Sequence, residues 1–281
     1  MTNAYFIRRP AEFTKTEKKL IDYILGNQER FIYMTISEVA RNVGASEPTV
    51  SRFARHCGFR DFKELKNTVI QHLEENSSPA RKLTSTLDQK NLSSPEGMLR
   101  HQQFCIEKTL DFLDEARLEE AVTAITRAET IYIYAKGAAL SVAELLRFRL
   151  SRFGMHVVIL PPGSSELFEY MHLFTPRDLV ILFGFQKTSR EAAVLLDYQK
   201  KLHFQSIFFT SRLYQDEEAN AGVISLYVYR GTPSEYHSMA APMALADVLV
   251  VLTANRLGQD SGSSLEQLYQ LKETYKNEIP R

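Results

Sequence analysis

The sequence lacks the features that mark several specialised classes of protein. It has no tryptophan and only two cysteines, Cys57 and Cys105, which lie far apart. This spacing matches neither a metal site nor a disulfide framework, which indicates a reducing compartment. The N-terminus has no long apolar run, so we expect no signal peptide, and no stretch reaches the ~20 apolar residues that span a bilayer. We therefore predict a cytoplasmic protein with no membrane partner, no metal and no cofactor.

The chain also lacks an excess of charge of either sign. Its 34 basic and 34 acidic residues balance, so the whole-chain charge gives no argument for a nucleic-acid partner, although a small basic module could be hidden in a neutral total. Hydrophobic residues make up 44% of the 281 residues, which is enough for a real core. The length allows one large domain or two smaller ones.

A polar stretch divides the chain into two parts of different pattern. Residues 76–95 carry Ser-Ser-Pro near both ends, and we interpret them as a linker that can hold a short helix. Residues 1–75 show only helical periodicity, whereas 96–281 begin with helices and then alternate short β-rich runs with helices. We expect these strands at 130–135, 156–160, 178–183, 205–209 and 223–228. The pattern predicts an all-helical N-terminal domain joined to a doubly wound, mostly parallel five-stranded α/β sandwich.

The strongest local signal lies between Thr35 and Phe59. Thr35 precedes Glu38 by three residues, which is the spacing of a capping box. Gly44 is expected to end this first helix, and Ser46 can cap a second helix that has Pro48 in its first turn. Two helices joined by a short glycine turn are typical of a helix-turn-helix motif.

The outer face of the second helix carries side chains suited to DNA. Arginine can read guanine edges in the major groove, and small hydroxyls can bind phosphates or bases. The basic excess is local, with six Lys or Arg against three acids between Arg41 and Lys66. An ordinary helical hairpin with solvated charges is the alternative. Counting the two caps, we predict DNA contacts from Thr35, Ser46, Glu47, Thr49, Ser51, Arg52, Arg55 and His56.

The N-terminal 75 residues resemble the helix-turn-helix domain of the MurR/RpiR family of bacterial transcription regulators. The run Ser46-x-x-Thr49-Val50-x-Arg52-Phe53, followed by Gly58-Phe59, carries the resemblance most specifically. Members of that family couple this domain to a sugar isomerase (SIS) domain, which the C-terminal alternation fits in length and order. The resemblance implies a regulator that binds double-stranded DNA, as a homodimer or tetramer on a palindromic operator, and responds to a phosphosugar or related effector.

The two loops that bind phosphosugars in SIS domains are altered in this chain. The first, with the pattern Gly-x-Gly-x-Ser, corresponds to residues 135–139 and keeps only Gly137. The second, with the pattern Ser-x-Ser-Gly-x-Thr, corresponds to 183–188 and keeps only Thr188, with Phe183 and Phe185 at the serine positions. Each lost hydroxyl removes a hydrogen bond to a charged oxygen, typically worth about 1.5–3 kcal/mol. We therefore expect ordinary hexose phosphates to bind weakly.

The helix that begins near Ser189 could still attract an anion through its amides and dipole. Whether the pocket keeps a phosphosugar, accepts another ligand or accepts none is left open by these residues. Glu235 and His237 precede a long helix, in a region that often serves SIS sites, and Ser164 follows the second strand. We predict effector contacts from Lys136, Gly137, Ser164, Lys187, Thr188, Ser189, Glu235 and His237.

Two other functions compete with a ligand-responsive regulator. One is a phosphosugar isomerase that carries an extra helical domain, which would need a positioned general acid or base. We find no group of residues that nominates one, and so we predict that the protein is not an enzyme. The other is a regulator whose C-terminal domain only forms oligomers.

Overall fold

The computed structural model describes residues 13–75, 79–89, 92–163, 165–185, 188–212, 222–231 and 235–279. The chain divides into two compact units. The first takes in the described residues of Met1–Cys105, Arg212–Asp216 and Tyr229–Ser238, and the second those of Ile106–Ser211, Glu217–Val228 and Met239–Arg281. The first unit therefore extends beyond residue 75, and the chain enters it again after the last strand.

The first unit is helical in its described part. Five helices precede residue 76: α1 (Lys15–Gly26), α2 (Gln28–Phe31), α3 (Ile36–Val43), α4 (Glu47–His56) and α5 (Phe62–Glu75). The expected linker holds α6 (Pro79–Asp88), and α7 (Pro95–Leu110) follows it. Helix α6 is the short helix that the polar stretch allowed.

Helices α1 to α5 share a hydrophobic core of their own. Leu20, Val39, Phe53 and Leu65 are fully buried and come from four different helices. These positions follow the helical spacing of apolar residues in the sequence, which turns one stripe of each helix inward. Burying a side chain of this size stabilises the fold by about 1.5–3 kcal/mol. The core of the helix-turn-helix is thus built from residues 20–69.

The second unit is a five-stranded parallel sheet covered by helices. Its strands are β1 (Ile131–Tyr134), β2 (Val157–Ile159), β3 (Leu179–Phe183), β4 (Gln205–Thr210) and β5 (Val223–Tyr227). Its helices are α8 (Glu115–Arg127), α9 (Leu140–Ser151), α10 (Glu166–Met171), α11 (Arg190–Leu202), α12 (Ala240–Leu257) and α13 (Gln259–Thr274). The predicted fold class is confirmed, because every neighbouring pair of strands is parallel.

The strand order β2-β1-β3-β4-β5 places a switch in winding direction between β1 and β3. After β1 the chain moves outward to β2, and it then returns to the other side of β1 to form β3. Connections on opposite faces of the sheet leave a crevice at the carboxyl ends of these two strands, where α/β proteins hold ligands. The fold therefore points to the residues that follow β1 and β3.

Helix α12 is strongly apolar. Among the described residues it alone has the length and composition of a possible membrane span, with a mean hydropathy of 1.4 over 18 residues. One face packs against α8 and α9, with Leu249 and Thr253 fully buried. Val251 on another face is 65% exposed. Helix α12 is therefore buried on one side only, since a helix turns its residues in all directions.

Candidate functional site

The turn between α3 and α4 has the geometry that its sequence predicts. The Glu38 amide donates to Thr35 Oγ1 at 3.3 Å, and the Thr35 amide donates to the Glu38 carboxylate at 2.7 Å, which completes the capping box. Gly44 ends α3 with φ of +70°, a left-handed conformation that favours glycine. Helix α4 then begins at Glu47, with Pro48 in its first turn.

Helix α4 turns one face into the core and the other to solvent. Val50, Phe53 and Ala54 are buried. Arg52 and Arg55 lie on the exposed side, one turn apart. Of the other residues predicted to contact DNA, some are exposed and the rest half-buried: Thr35, Ser46, Glu47 and His56 are exposed, and Thr49 and Ser51 are half-buried.

Several of these polar side chains already have partners within the domain. Ser46 occupies the N-cap position of α4, but its hydroxyl pairs with the Thr49 hydroxyl at 2.8 Å and makes no side-chain bond to a helix amide. The Glu47 carboxylate accepts a hydrogen bond from the Ser37 hydroxyl, which ties the two helices of the motif together. Arg55 Nη2 donates to Ser51 Oγ at 3.4 Å. Ser46 is thus a cap by position, without the expected backbone hydrogen bond.

His56 has a structural partner that the sequence pattern did not indicate. Its Nδ1 lies 2.5 Å from Glu17 Oε1 on α1, and its ring meets Phe13 edge to face. Burial raises the pKa of Glu17, but hydrogen bonds from His56 and Thr14 outweigh this effect and hold the pKa below its usual value. The pair joins the end of α4 to the start of α1. A contact across 39 residues leaves no mark in local spacing, and so Glu17 was missed.

The second candidate site lies at the carboxyl ends of β1 and β3. Lys136 and Gly137 follow β1, and Thr188 and Ser189 lead into α11. Gly137 has φ of +58°, and no atom lies within 4 Å of the position that a Cβ would take. The structure thus places these four predicted residues at one switch point. Ser164 and Lys187, also predicted to contact the effector, lie outside the described residues.

A charged residue that the sequence reasoning missed stands at this edge. Glu191 Oε1 lies 2.7 Å from Lys136 Nζ, so an ion pair joins the β1 loop to the first turn of α11. The Lys136 hydrogen bond is the main reason that the pKa of Glu191 falls to about 2, and that bond also raises the pKa of Lys136. A Cβ on Gly163 after β2 would stand 3.8 Å from the same carboxylate oxygen.

Ser189 and Tyr134 also form hydrogen bonds at the carboxyl ends of β1 and β3, which we call the β1/β3 edge. Ser189 is the N-cap of α11, and its Oγ accepts from the Ala192 amide at 3.1 Å. The Tyr134 hydroxyl donates to the Pro162 carbonyl at 3.1 Å and lies 3.4 Å from Ser189 Oγ. Burial raises the pKa of this phenol, which therefore remains protonated at neutral pH. The residues that follow β1, β2 and β3 thus meet in one set of hydrogen bonds.

Phe183 and Phe185 are both buried. The Phe183 ring stacks on Phe209 with centroids 4.7 Å apart, and Phe185 lies 6.2 Å from Phe183. The Ser211 amide donates to the Phe185 carbonyl, which extends the pairing with β4 beyond the end of β3. The two aromatic rings therefore fill protein interior at the positions where the family pattern has serine hydroxyls.

Glu235 and His237 belong to the first compact unit, whereas Lys136, Gly137, Thr188 and Ser189 belong to the second. Glu235 Oε2 is 3.4 Å from His101 Nε2 on α7, and both side chains are at least 95% buried. Arg230 Nη2 donates to the His237 carbonyl at 3.0 Å. Burial, and then the Glu235 charge, raises the pKa of the Cys105 thiol to about 12. These contacts give Glu235 a structural role that its position in the sequence does not reveal.

No group of three or more His, Cys, Asp or Glu residues that could hold a metal ion occurs in the part of the chain that the structure describes.

Comparison with known families matches residues 4–76 to the helix-turn-helix domain of the rpiR family and residues 124–252 to the SIS domain. Between them, the two models cover most of the chain. The chain belongs to the RpiR family of transcriptional regulators.

Two relatives of this RpiR-family chain are named as helix-turn-helix transcriptional regulators. It is 27% identical to a helix-turn-helix transcriptional regulator of Haemophilus influenzae, over 71% of this chain and 70% of the relative. It is 26% identical to a helix-turn-helix transcriptional regulator of Providencia stuartii, over 76% of each chain.

Two solved structures support the fold of the RpiR-family chain. The sugar isomerase domain of the RpiR transcription factor from Sphaerobacter thermophilus matches with a TM-score of 0.55 and 19% identity, over 61% of this chain and 96% of that one. The Vibrio vulnificus NanR protein, complexed with ManNAc-6P, matches with a TM-score of 0.56 and 18% identity, over 96% of each chain. At this level of identity the likeness shows the fold.

Proposed function

We propose that this RpiR-family regulator binds a DNA operator through α4 and that a small metabolite bound at the β1/β3 edge alters this binding. The observation that carries the DNA-binding step is the pair of exposed arginines, Arg52 and Arg55, on a helix whose opposite face is fixed in the core. Arginine side chains placed in this way can reach phosphates and guanine edges in the major groove. An enzyme would have no need of such a helix, which favours a regulator that is not an enzyme.

The division of labour that we propose follows the sequence. Residues 1–75 form the DNA-binding domain, and their separate core of α1 to α5 supports this assignment. Residues 76–95 connect it to residues 96–281, which bind the effector and mediate self-association. We place the protein in the cytoplasm, where DNA and metabolites are both accessible.

The effector that we propose is a phosphosugar or a related sugar metabolite. The SIS match supports this class, as does NanR, a protein of the same fold that was solved with ManNAc-6P. Lys136, Gly137, Thr188 and Ser189 meet at the switch point where α/β proteins hold ligands. For Ser164, Lys187, Glu235 and His237, a contact with the effector remains a prediction from the sequence.

We further propose that the protein acts as a homodimer, or as a tetramer built from two dimers, on a palindromic operator. Paired helix-turn-helix domains read paired half-sites, so the symmetry of the protein matches that of the DNA. Exposed apolar side chains on α12 and α13, among them Val251 and Leu271, support self-association of the sheet unit. Light scattering at micromolar concentration should give a dimer or a larger species, and a monomer would contradict this part of the proposal.

The DNA-binding step can be tested by gel-shift titration of the operator with the Arg52→Ala, Arg55→Ala double mutant. Each arginine that reads a base should contribute about 1–3 kcal/mol, so the affinity should fall by at least tenfold while the fold remains intact. Arg147→Ala is the matched control, because this exposed arginine of the sheet unit pairs with Glu144 instead. Unchanged operator affinity in the double mutant would sink the assignment of α4.

The effector step needs a panel of ligands. A thermal-shift screen with phosphosugars and amino sugars should identify compounds that stabilise the protein, because a ligand that binds only the folded state raises its melting temperature. The same compounds should then change operator affinity in the gel shift. If compounds that stabilise the protein leave operator binding unchanged, the regulatory link is wrong even though a ligand site exists.

A further inference from the structure

The carboxylate of Glu191 stands where an anionic ligand would be held. Glu191 is the second residue of α11, and the first amides of a helix have no partner within the helix. Such amides attract anions, and the helix dipole adds to the attraction. Here the Ser189 hydroxyl accepts from the amide of Ala192, and the Glu191 carboxylate belongs to the same first turn. A side chain of the protein itself thus already satisfies one donor of this turn.

The Glu191 carboxylate also forms an ion pair with Lys136, the cation of this site. Lys136 Nζ, 2.7 Å away, arrives from the loop after β1, on the other side of the crevice. A cation beside the first amides of a helix is a donor set that a bound phosphate or carboxylate would use. In the structure the Lys136 cation of this set is paired with Glu191.

We infer that Glu191 is an internal competitor for the anion cradle formed by Lys136 and the first turn of α11, and that it lowers the affinity of this edge for anionic ligands. A phosphate can use Lys136 only if the Glu191 carboxylate moves aside, because two anions that share one cation repel each other strongly at short range. Only a ligand whose anionic group displaces Glu191 from Lys136 can therefore bind tightly at this edge. This inference rests on the proposed effector site and assigns its selectivity to one residue.

The ion pair is exposed enough for such an exchange. The Lys136 side chain is 45% exposed and that of Glu191 is 26% exposed, so both can change rotamer without opening the core. The carboxylate also faces Gly163, which offers no side chain to hold it. Ser189 would keep its cap on α11 throughout, because its bond to the Ala192 amide does not involve Glu191.

The test is the binding of inorganic phosphate to the full-length protein by isothermal titration calorimetry. Glu191→Gln removes the negative charge and keeps the size of the side chain. We expect this variant to bind phosphate tighter than the unaltered protein, by a factor on the order of ten or more, because the competing charge is gone. Adding Lys136→Gln to Glu191→Gln should abolish the gain, since the cradle then lacks its cation.

Asp197→Asn is the matched control. Asp197 lies on the same helix and forms an ion pair with Lys201, four residues further on. The N–O distance of 2.7 Å equals that of the Lys136–Glu191 pair, but Asp197 is not in the first turn of the helix. This variant loses the same charge and should bind phosphate as the unaltered protein does. An equal gain in Asp197→Asn would mean that overall charge causes the effect, and the inference would be wrong.

Two other results would also overturn the inference. One is phosphate binding by Glu191→Gln no tighter than that of the unaltered protein. The other is a gain that persists after Lys136 is replaced, which would locate the anion elsewhere. A thermal melt checks that each variant folds, and Glu191→Ala provides the same comparison if Glu191→Gln does not. Because phosphate binding needs neither operator nor effector, failure of the regulatory proposal and failure of this inference give different results.

Discussion

Helix α4, the helix that we propose binds DNA, and the β1/β3 edge are assembled from contacts of very different range. In the helix-turn-helix, Thr35 and Glu38 are three residues apart, and Ser51 and Arg55 are four apart. At the edge of the sheet, Lys136 and Glu191 meet across 55 residues. The two sites also differ in charge, because the arginines of α4 face solvent whereas the main cation of the edge is bound to a carboxylate of the same chain.

This difference indicates how each site meets its partner. The surface of α4 is held from behind by the core and exposes its arginines, so the DNA binding that we propose should require little rearrangement of the protein. The edge of the sheet satisfies its own donors, and a ligand must replace bonds that already exist. DNA affinity should therefore depend on the packing behind α4, whereas effector affinity should depend on the competition within the edge.

The largest effect should come from the packing behind α4. Phe53 is fully buried in the core that α1 to α5 share. Phe53→Ala should destabilise this domain by about 3–5 kcal/mol, because the lost contacts leave a cavity. Operator binding should be lost with it. Thermal unfolding followed by circular dichroism, together with the gel shift, measures both effects.

Phe209→Ala is the counterpart in the other region. Phe209 is also fully buried, and it stacks on Phe183 within the sheet unit. This variant should destabilise the sheet unit and leave the core behind α4 intact, so two unfolding steps should shift separately in the two variants. If both variants lower a single common transition by the same amount, the cores are not independent and the comparison fails.

The range of the contacts also decides what the sequence could predict. The capping box at Thr35 and the end of the first helix at Gly44 depend on residues a few positions apart, and both were predicted and observed. The five strands were predicted for a similar reason, since each carries its own apolar run. Their parallel pairing followed from their alternation with helices.

Contacts that join distant segments were missed. Glu191 looked like an ordinary residue of a first helical turn, and only the fold brings it to Lys136. Likewise, His56 was predicted as a DNA contact from its place on α4, and nothing in the local pattern indicated its second partner, Glu17. Glu235 was predicted to face an effector, and the structure buries it next to His101. In each case the partner lies dozens of residues away, where spacing carries no information.

An intermediate effect should distinguish true caps from residues that only occupy a cap position. Thr35 accepts the amide of Glu38, so Thr35→Ala should cost about 1 kcal/mol of stability in the helix-turn-helix. Ser46 makes no such bond, and Ser46→Ala should cost less. Ser189, which accepts the amide of Ala192, should resemble Thr35 although it lies in the other unit. Chemical denaturation of the three variants measures these differences.

A cost for Ser46→Ala as large as that for Thr35→Ala would show that the hydroxyl pair with Thr49 stabilises α4 as well as a cap does. A hydrogen bond between two side chains would then stabilise the start of a helix as much as a bond to a backbone amide. Thr49→Ala is the check, because it removes the same pair from the other side.

The smallest expected effect is a change in how the stability of the helix-turn-helix falls at acid pH. The folded pKa of Glu17 lies below its usual value, mainly because its bonds with His56 and Thr14 outweigh burial. A lowered folded pKa means that the carboxylate contributes stability above its unfolded pKa, and this contribution is lost as the pH falls through the folded value.

Glu17→Gln removes the titrating group but can still serve the capping box that starts α1. The unfolding midpoint of the helix-turn-helix should therefore fall less steeply between about pH 6 and pH 3 in this variant. His56→Ala should show part of the same change, because it removes one of the bonds that lower the pKa. An acid slope identical to that of the unaltered protein in both variants would mean that this long-range pair contributes nothing, and that the helix-turn-helix depends on its local contacts alone.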